Sequence, residues 1–103
     1  MKPPYYAVIF TSVRTTVDDN YVAVNDALEE MAAQLPGFLG IESMRDAERF
    51  GISVSYWADE AAIAHWAKTL EHREAKAMGH SQWFESYTIR IAKVESERNF
   101  TAP

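Results

Sequence analysis

Between Pro36 and Asp59 the chain has room for only two short extended segments, and a helix-like stripe stands on either side of them. This limits the fold more than any other feature. On the N-terminal side Tyr21, Val24, Leu28, Met31 and Leu35 recur at spacings of three and four, which predicts one apolar helix face. Asp18, Asp19 and Asn20 precede it and supply N-cap chemistry. Pro36-Gly37 ends it, because proline cannot continue the hydrogen-bond ladder and glycine suits the turn. Phe38 to Arg45 then reads as a strand and Asp46 to Arg49 as a polar turn, with Gly51 a bulge position. Ile52 to Trp57 alternates, with Ile52, Val54 and Tyr56 on one side and Ser53, Ser55 and Trp57 on the other. Asp59 can cap a second helix with Ile63, Trp66, Ala67 and Leu70 on one side. Helical composition continues to Met78 with a bend near Thr69, and Gly79 is the stop.

Two outer segments complete the pattern. Tyr5 to Val13 is β-branched and aromatic with no breaker, and Tyr87 to Val94 forms the last strand. The order is β-α-β-β-α-β, the ferredoxin-like α+β arrangement of an antiparallel sheet covered by helices on one face. The other face carries too many large side chains to remain in water. Either Ser53/Ser55/Trp57 or Ile52/Val54/Tyr56 must point away from the helices, and the same holds for Tyr87/Ile89/Ile91 against Thr88/Arg90/Val94. A second copy pressed on that face would bury it, so a homodimer is expected.

Length and composition narrow the functional classes. A chain of 103 residues, 48% hydrophobic, is expected to form one domain over residues 1–103. The net charge of −5, with no basic cluster, argues against a nucleic-acid partner. With no cysteine there is no disulfide, thiolate metal site or cysteine nucleophile. No apolar run approaches the roughly 20 residues of a membrane helix, and the start MKPPYYAVIF lacks a cleavage site. A cytoplasmic protein without a membrane partner is expected.

All three histidines fall in or just after the second helical segment, at His65, His72 and His80. On one unbroken helix His65 and His72 would stand about 10 Å apart along the axis, a poor span for one metal ion. No metal site is expected. His65 lies about 100° round the helix from Trp66 and reads as a flank residue. Trp66 belongs to the apolar stripe, so it packs in the core and can also roof a pocket. His72 follows the expected bend and can orient a substrate, act as a base or serve packing alone. His80 at the helix end is favoured by the C-terminal dipole. Trp83, Phe84 and Tyr87 read as an aromatic cluster. Arg90 and Arg14 can hold an acidic ligand group or form interface ion pairs.

Three runs carry a resemblance: PGFLGIES at Pro36–Ser43, ISVSYWADEAAIAHW at Ile52–Trp66 and HREAKAMGHSQWFESYTIRIAKVE at His72–Glu95. Together they resemble the antibiotic biosynthesis monooxygenase (ABM) superfamily, in particular a little-characterised bacterial branch with a tryptophan on the second helix. The resemblance implies a dimeric α+β barrel made from two ferredoxin-like subunits. It also implies activities that range from oxygenases of quinone-like substrates, working without metal or flavin, to heme-degrading monooxygenases. Trp66 sits where the heme-degrading members place a tryptophan. Lys76 stands near the place of their iron-ligating histidine, and Thr11 and Ser12 near that of their asparagine.

Two expectations follow from the resemblance. The first is a monooxygenase acting on an aromatic substrate, with His72 (or else His80) as base. Trp66 and Tyr56 would form the walls, Ser12 or Thr11 the hydrogen-bond donors, and Arg90 a substrate-binding group. The second is a non-catalytic dimeric binder of heme or another small aromatic ligand.

Overall fold

The computed structural model describes residues 1–16, 21–76 and 83–103, with residues 71–76 described by their backbone. In chain order the elements are β1 (Tyr5–Arg14), α1 (Tyr21–Ala33), β2 (Phe38–Arg45), β3 (Phe50–Trp57), α2 (Glu60–Lys76) and β4 (Phe84–Val94). The four strands form one antiparallel sheet in the order β2-β3-β1-β4. This is the ferredoxin-like α+β fold that the order of segments predicts.

Local chemistry sets the element ends. Asp59 Oδ1 accepts the amide hydrogen of Ala62 at 2.8 Å, which caps α2 as expected. The expected cap of α1, Asp18 to Asn20, lies outside the described residues, as do Met78, Gly79 and His80. Leu35 O accepts from Phe38 N at 3.2 Å in the turn after α1, and Gly37 O accepts from Ala58 N at 2.7 Å. Gly37 has a φ of 88°, a left-handed conformation, and an added Cβ would stand 2.7 Å from Ala62 Cβ. Glycine is therefore required both for the turn and for the approach of α2.

α2 runs continuously through Thr69, whose hydroxyl donates to His65 O at 3.0 Å inside the helix. One expectation is corrected: Gly51 is no bulge, and it pairs in register with both Ser12 and Arg45. Its missing side chain leaves room for the Arg45 guanidinium, whose carbon would lie 2.5 Å from an added Cβ. Arg45 crosses this gap to donate to Ser12 Oγ at 2.7 Å and to Arg49 O at 2.6 Å, tying the β2-β3 hairpin to β1. Register shifts occur instead at Phe38/Gly40 and Val13/Arg14.

The register also settles which row faces the helices. Trp57, Ala32, Ala62 and Ile63 form a buried cluster, with Phe38, Leu35 and Trp66 packed against it. Ser53, Ser55 and Trp57 therefore point toward the helices, together with Val8 and Phe10 of β1 and Ile89 and Ile91 of β4. Ile52, Val54 and Tyr56 lie on the open face with Thr11 and Arg90. At the far end of β4 the expected aromatic cluster is present: Tyr21 stacks on Trp83 at 5.5 Å, and Phe10 meets Phe84 and Tyr87 at 5.4 Å each. No helix among the described residues is long and apolar enough to cross a membrane.

Candidate functional site

The helix-facing row of β3 reads Ser53, Ser55, Trp57, and this size gradient creates the site. Trp57 fills its end of the helix–sheet interface completely, with 0% exposure. The two serines beside it are too small to reach the helices, and a cavity of about 270 Å³ opens above them. Its floor continues onto Val8 and Phe10 of β1 and reaches Ile41 of β2 and Ile89 and Ile91 of β4. Leu28 and Ala32 of α1 and Ile63, Trp66 and Leu70 of α2 form its roof. The volume lies near the lower end of small-molecule pockets, which run from roughly 300 to 1,000 Å³.

Within this apolar wall the polar groups are few. Ser55 Oγ accepts the indole N–H of Trp57 at 2.9 Å. An indole N–H can only donate, so this bond fixes Ser55 Oγ as acceptor and leaves its own hydrogen for another partner. Ser53 lies on the same row, and Asn25 and Glu29 project from α1 one helical turn apart. Glu29 is the only ionisable side chain among the described residues of the wall.

The residues expected from sequence separate on the two sides of the sheet. Trp66 is half-buried, stacks on Trp57 with ring centroids 6.2 Å apart and lines the cavity. Ser12 shares the row of Val8 and Phe10 but lies beyond the cavity, buried and held by Arg45. Tyr56, Thr11 and Arg90 are on the opposite face, so the structure does not bring them to Trp66. His65 is exposed and off the wall, while the His72 side chain and His80 lie outside the described residues. Sequence reading missed Asn25, Glu29, Ser53 and Ser55. The alternation of β3 had isolated the serine row, and Glu29 adjoins Leu28 of the apolar stripe, but only the folded structure brings the two onto one cavity wall.

The open face has its own polar network. Tyr56 donates to Glu42 Oε1 at 2.7 Å, and this carboxylate, with some burial, pushes the phenol pKa up. Burial, then the Glu97 carboxylate, raises that of Tyr5. The Asn99 amide donates to Glu97 Oε2 at 2.9 Å and holds its carboxyl below the usual range. Among the described residues no group of three or more His, Cys, Asp or Glu side chains is placed to hold a metal ion.

A helix-roofed cavity over a four-stranded antiparallel sheet is one form of a widespread fold that hosts many activities. The family model for antibiotic biosynthesis monooxygenases matches residues 4–78. The chain belongs to this family. The uncharacterised protein YqjZ of Bacillus subtilis is 50% identical over 99 residues, covering 96% of this chain and 87% of YqjZ. Jasmonate monooxygenase ABM of Pyricularia oryzae is 29% identical over 92 residues; the match covers 86% of this chain but 43% of that protein. Among solved structures, SnoaB of Streptomyces nogalater, a cofactor-independent oxygenase, superposes with a TM-score of 0.68 at 12% identity. The superposition covers 97% of this chain and all of SnoaB, and at that identity it speaks for the ABM fold alone.

Proposed function

We propose that this ABM protein is an oxygenase that binds a small, flat aromatic or quinone-like substrate in the cavity and assists its oxidation by dioxygen without bound metal or flavin. The observation that carries the reading is the cavity itself: an apolar slot roofed by Trp66 and floored by two serines. Such a slot aligns a planar ring against an apolar wall. The substrate would have an acidic CH2 group. Loss of one proton gives the carbanion and dioxygen adds to that carbon. One oxygen atom stays as a new carbonyl, and the other leaves as water with the two hydrogens. His72 is the proposed proton acceptor. The cavity wall presents no cation among the described residues, so a neutral substrate is proposed rather than a carboxylate such as jasmonate.

The protein is proposed to work as a homodimer in the cytoplasm, with a second copy on the open face that carries Ile52, Val54 and Tyr56. Heme fits the described wall poorly. It holds no histidine, cysteine, methionine or tyrosine to serve as axial ligand.

The test uses anthrone under 18O-labelled dioxygen. Enzyme-dependent conversion to anthraquinone with one labelled oxygen, slowed at least ~10-fold in Trp66→Ala, is the expected result. A rate equal to that in buffer would sink the oxygenase reading, and saturable binding without turnover would favour a ligand-binding protein. An unchanged rate in His72→Ala would remove His72 from the mechanism while leaving the cavity reading intact.

A further inference from the structure

Apart from one carboxylate, the described wall of the cavity is uncharged. Glu29 stands on α1 next to Asn25, on the side away from Leu28, and the polar atoms of the floor are the hydroxyls of Ser53 and Ser55. It is half-buried, and no described hydrogen bond ties it to a neighbour on the wall. An ionised carboxylate accepts hydrogen bonds and donates none. No cation of the described wall offsets its charge, so a like charge entering the slot is repelled.

We propose that Glu29 is the specificity-determining residue of this cavity: it selects an uncharged aromatic ligand bearing a hydroxyl donor and excludes carboxylates of the same size. The ligand hydroxyl donates to Glu29 from below, while the ring lies between the Trp66 roof and the Ser53–Ser55 floor. The proposal rests on the cavity reading above and adds to it the charge and hydrogen-bonding character of the ligand. It assigns Glu29 no proton transfer, so it stands or falls independently of His72.

Calorimetric titration with two matched probes tests it. 1-Naphthol carries a hydroxyl on the naphthalene frame, and 1-naphthoate carries a carboxylate on the same carbon. The native protein is expected to bind 1-naphthol at least ~10-fold more tightly than 1-naphthoate, the scale of one hydrogen bond to a charged group. Glu29→Gln should weaken 1-naphthol and strengthen 1-naphthoate, which narrows that ratio at least ~10-fold. Glu29→Asp keeps the charge and should still reject 1-naphthoate. It also guards against a folding artefact in the glutamine variant. Glu30→Gln changes the neighbouring carboxylate, which lines a groove on the other side of α1, and should leave the ratio unaltered.

A cavity-filling Ala67→Trp variant locates the binding. If both probes bind, both are lost in Ala67→Trp and the ratio is the same in Glu29→Gln as in the native protein, the specificity proposal is overturned while the cavity reading survives. If neither probe binds, or binding ignores Ala67→Trp, both readings fall together.

Discussion

The two halves of the helix–sheet interface are built from the same strands and helices, yet one is solid and the other hollow. At the Trp57 end the indole is fully buried, Phe38 meets it edge-on at 5.3 Å, and Gly37 lets α2 come in until Ala62 touches the turn. Two residues back along β3, serines replace the tryptophan and the helices span a void. β1 and β3 run under both halves in one unbroken register, from Tyr6↔Trp57 to Val13↔Phe50. On that shared floor the difference is side-chain volume. One row of alternate residues thus supplies both the anchor and the binding slot, and the anchor's only polar atom is satisfied by the slot's serine.

If the solid half holds the fold, removing its keystone has the largest effect. Trp57→Ala is expected to cost about 3–5 kcal/mol in urea unfolding, the range for large aromatic truncations in a core. Trp66→Ala, at a half-buried residue on the cavity side, should cost clearly less. Equal losses would mean that the two halves share the load, and the comparison would fail.

Next comes Gly37→Ala, at about 2–3 kcal/mol. It forces an L-residue into a left-handed conformation and drives its Cβ against Ala62. Unfolding at unchanged urea midpoint would show that the turn can shift and that α2 is not clamped there.

How much of this was visible in the chain depends on which contacts decide each feature. Element order was legible because it rests on local signals: the Pro36-Gly37 stop, the Asp59 cap and the alternation of Ile52–Trp57 are each set by neighbours in sequence. The faces were legible as alternatives, since period two separates Tyr56 from Trp57 but does not say which meets a helix. That choice depends on β1, over forty residues away, and it moved Tyr56, Thr11 and Arg90 off the cavity side. Gly51 shows the same limit. Its φ needs no glycine; the demand comes from the Arg45 side chain, which crosses it to reach Ser12, and no local pattern encodes this crossing. Glu29 was overlooked because a glutamate beside an apolar stripe usually faces solvent, and only a void opposite it changes its meaning.

Ser55 sits at the boundary of the two halves and sharpens their difference. Ser55→Ala leaves the Trp57 indole hydrogen without its acceptor in a fully buried position, at a cost of about 1–2 kcal/mol. Ser53→Ala, two residues further into the hollow half, has no such bond to break and should change stability by less than about 0.5 kcal/mol. Thermal melts of the pair measure the contrast directly, and equal shifts would deny Ser55 its bridging role.

The smallest stability change, and the sharpest functional one, should come from filling the hollow half. Ser53→Val keeps the pleat and suits a strand, and its added methyl groups point into the cavity from the floor. Because the space is already empty, the substitution should raise stability by about 0.5–1 kcal/mol, the usual gain from cavity filling. The same methyl groups occupy the place of a bound ring, so affinity for 1-naphthol should fall at least ~10-fold. A variant that is both more stable and unable to bind would show that the void is kept against stability for the sake of a ligand. If Ser53→Val instead destabilises the protein, the serine floor is a packing element, and the hollow half is not a site held open by its sequence.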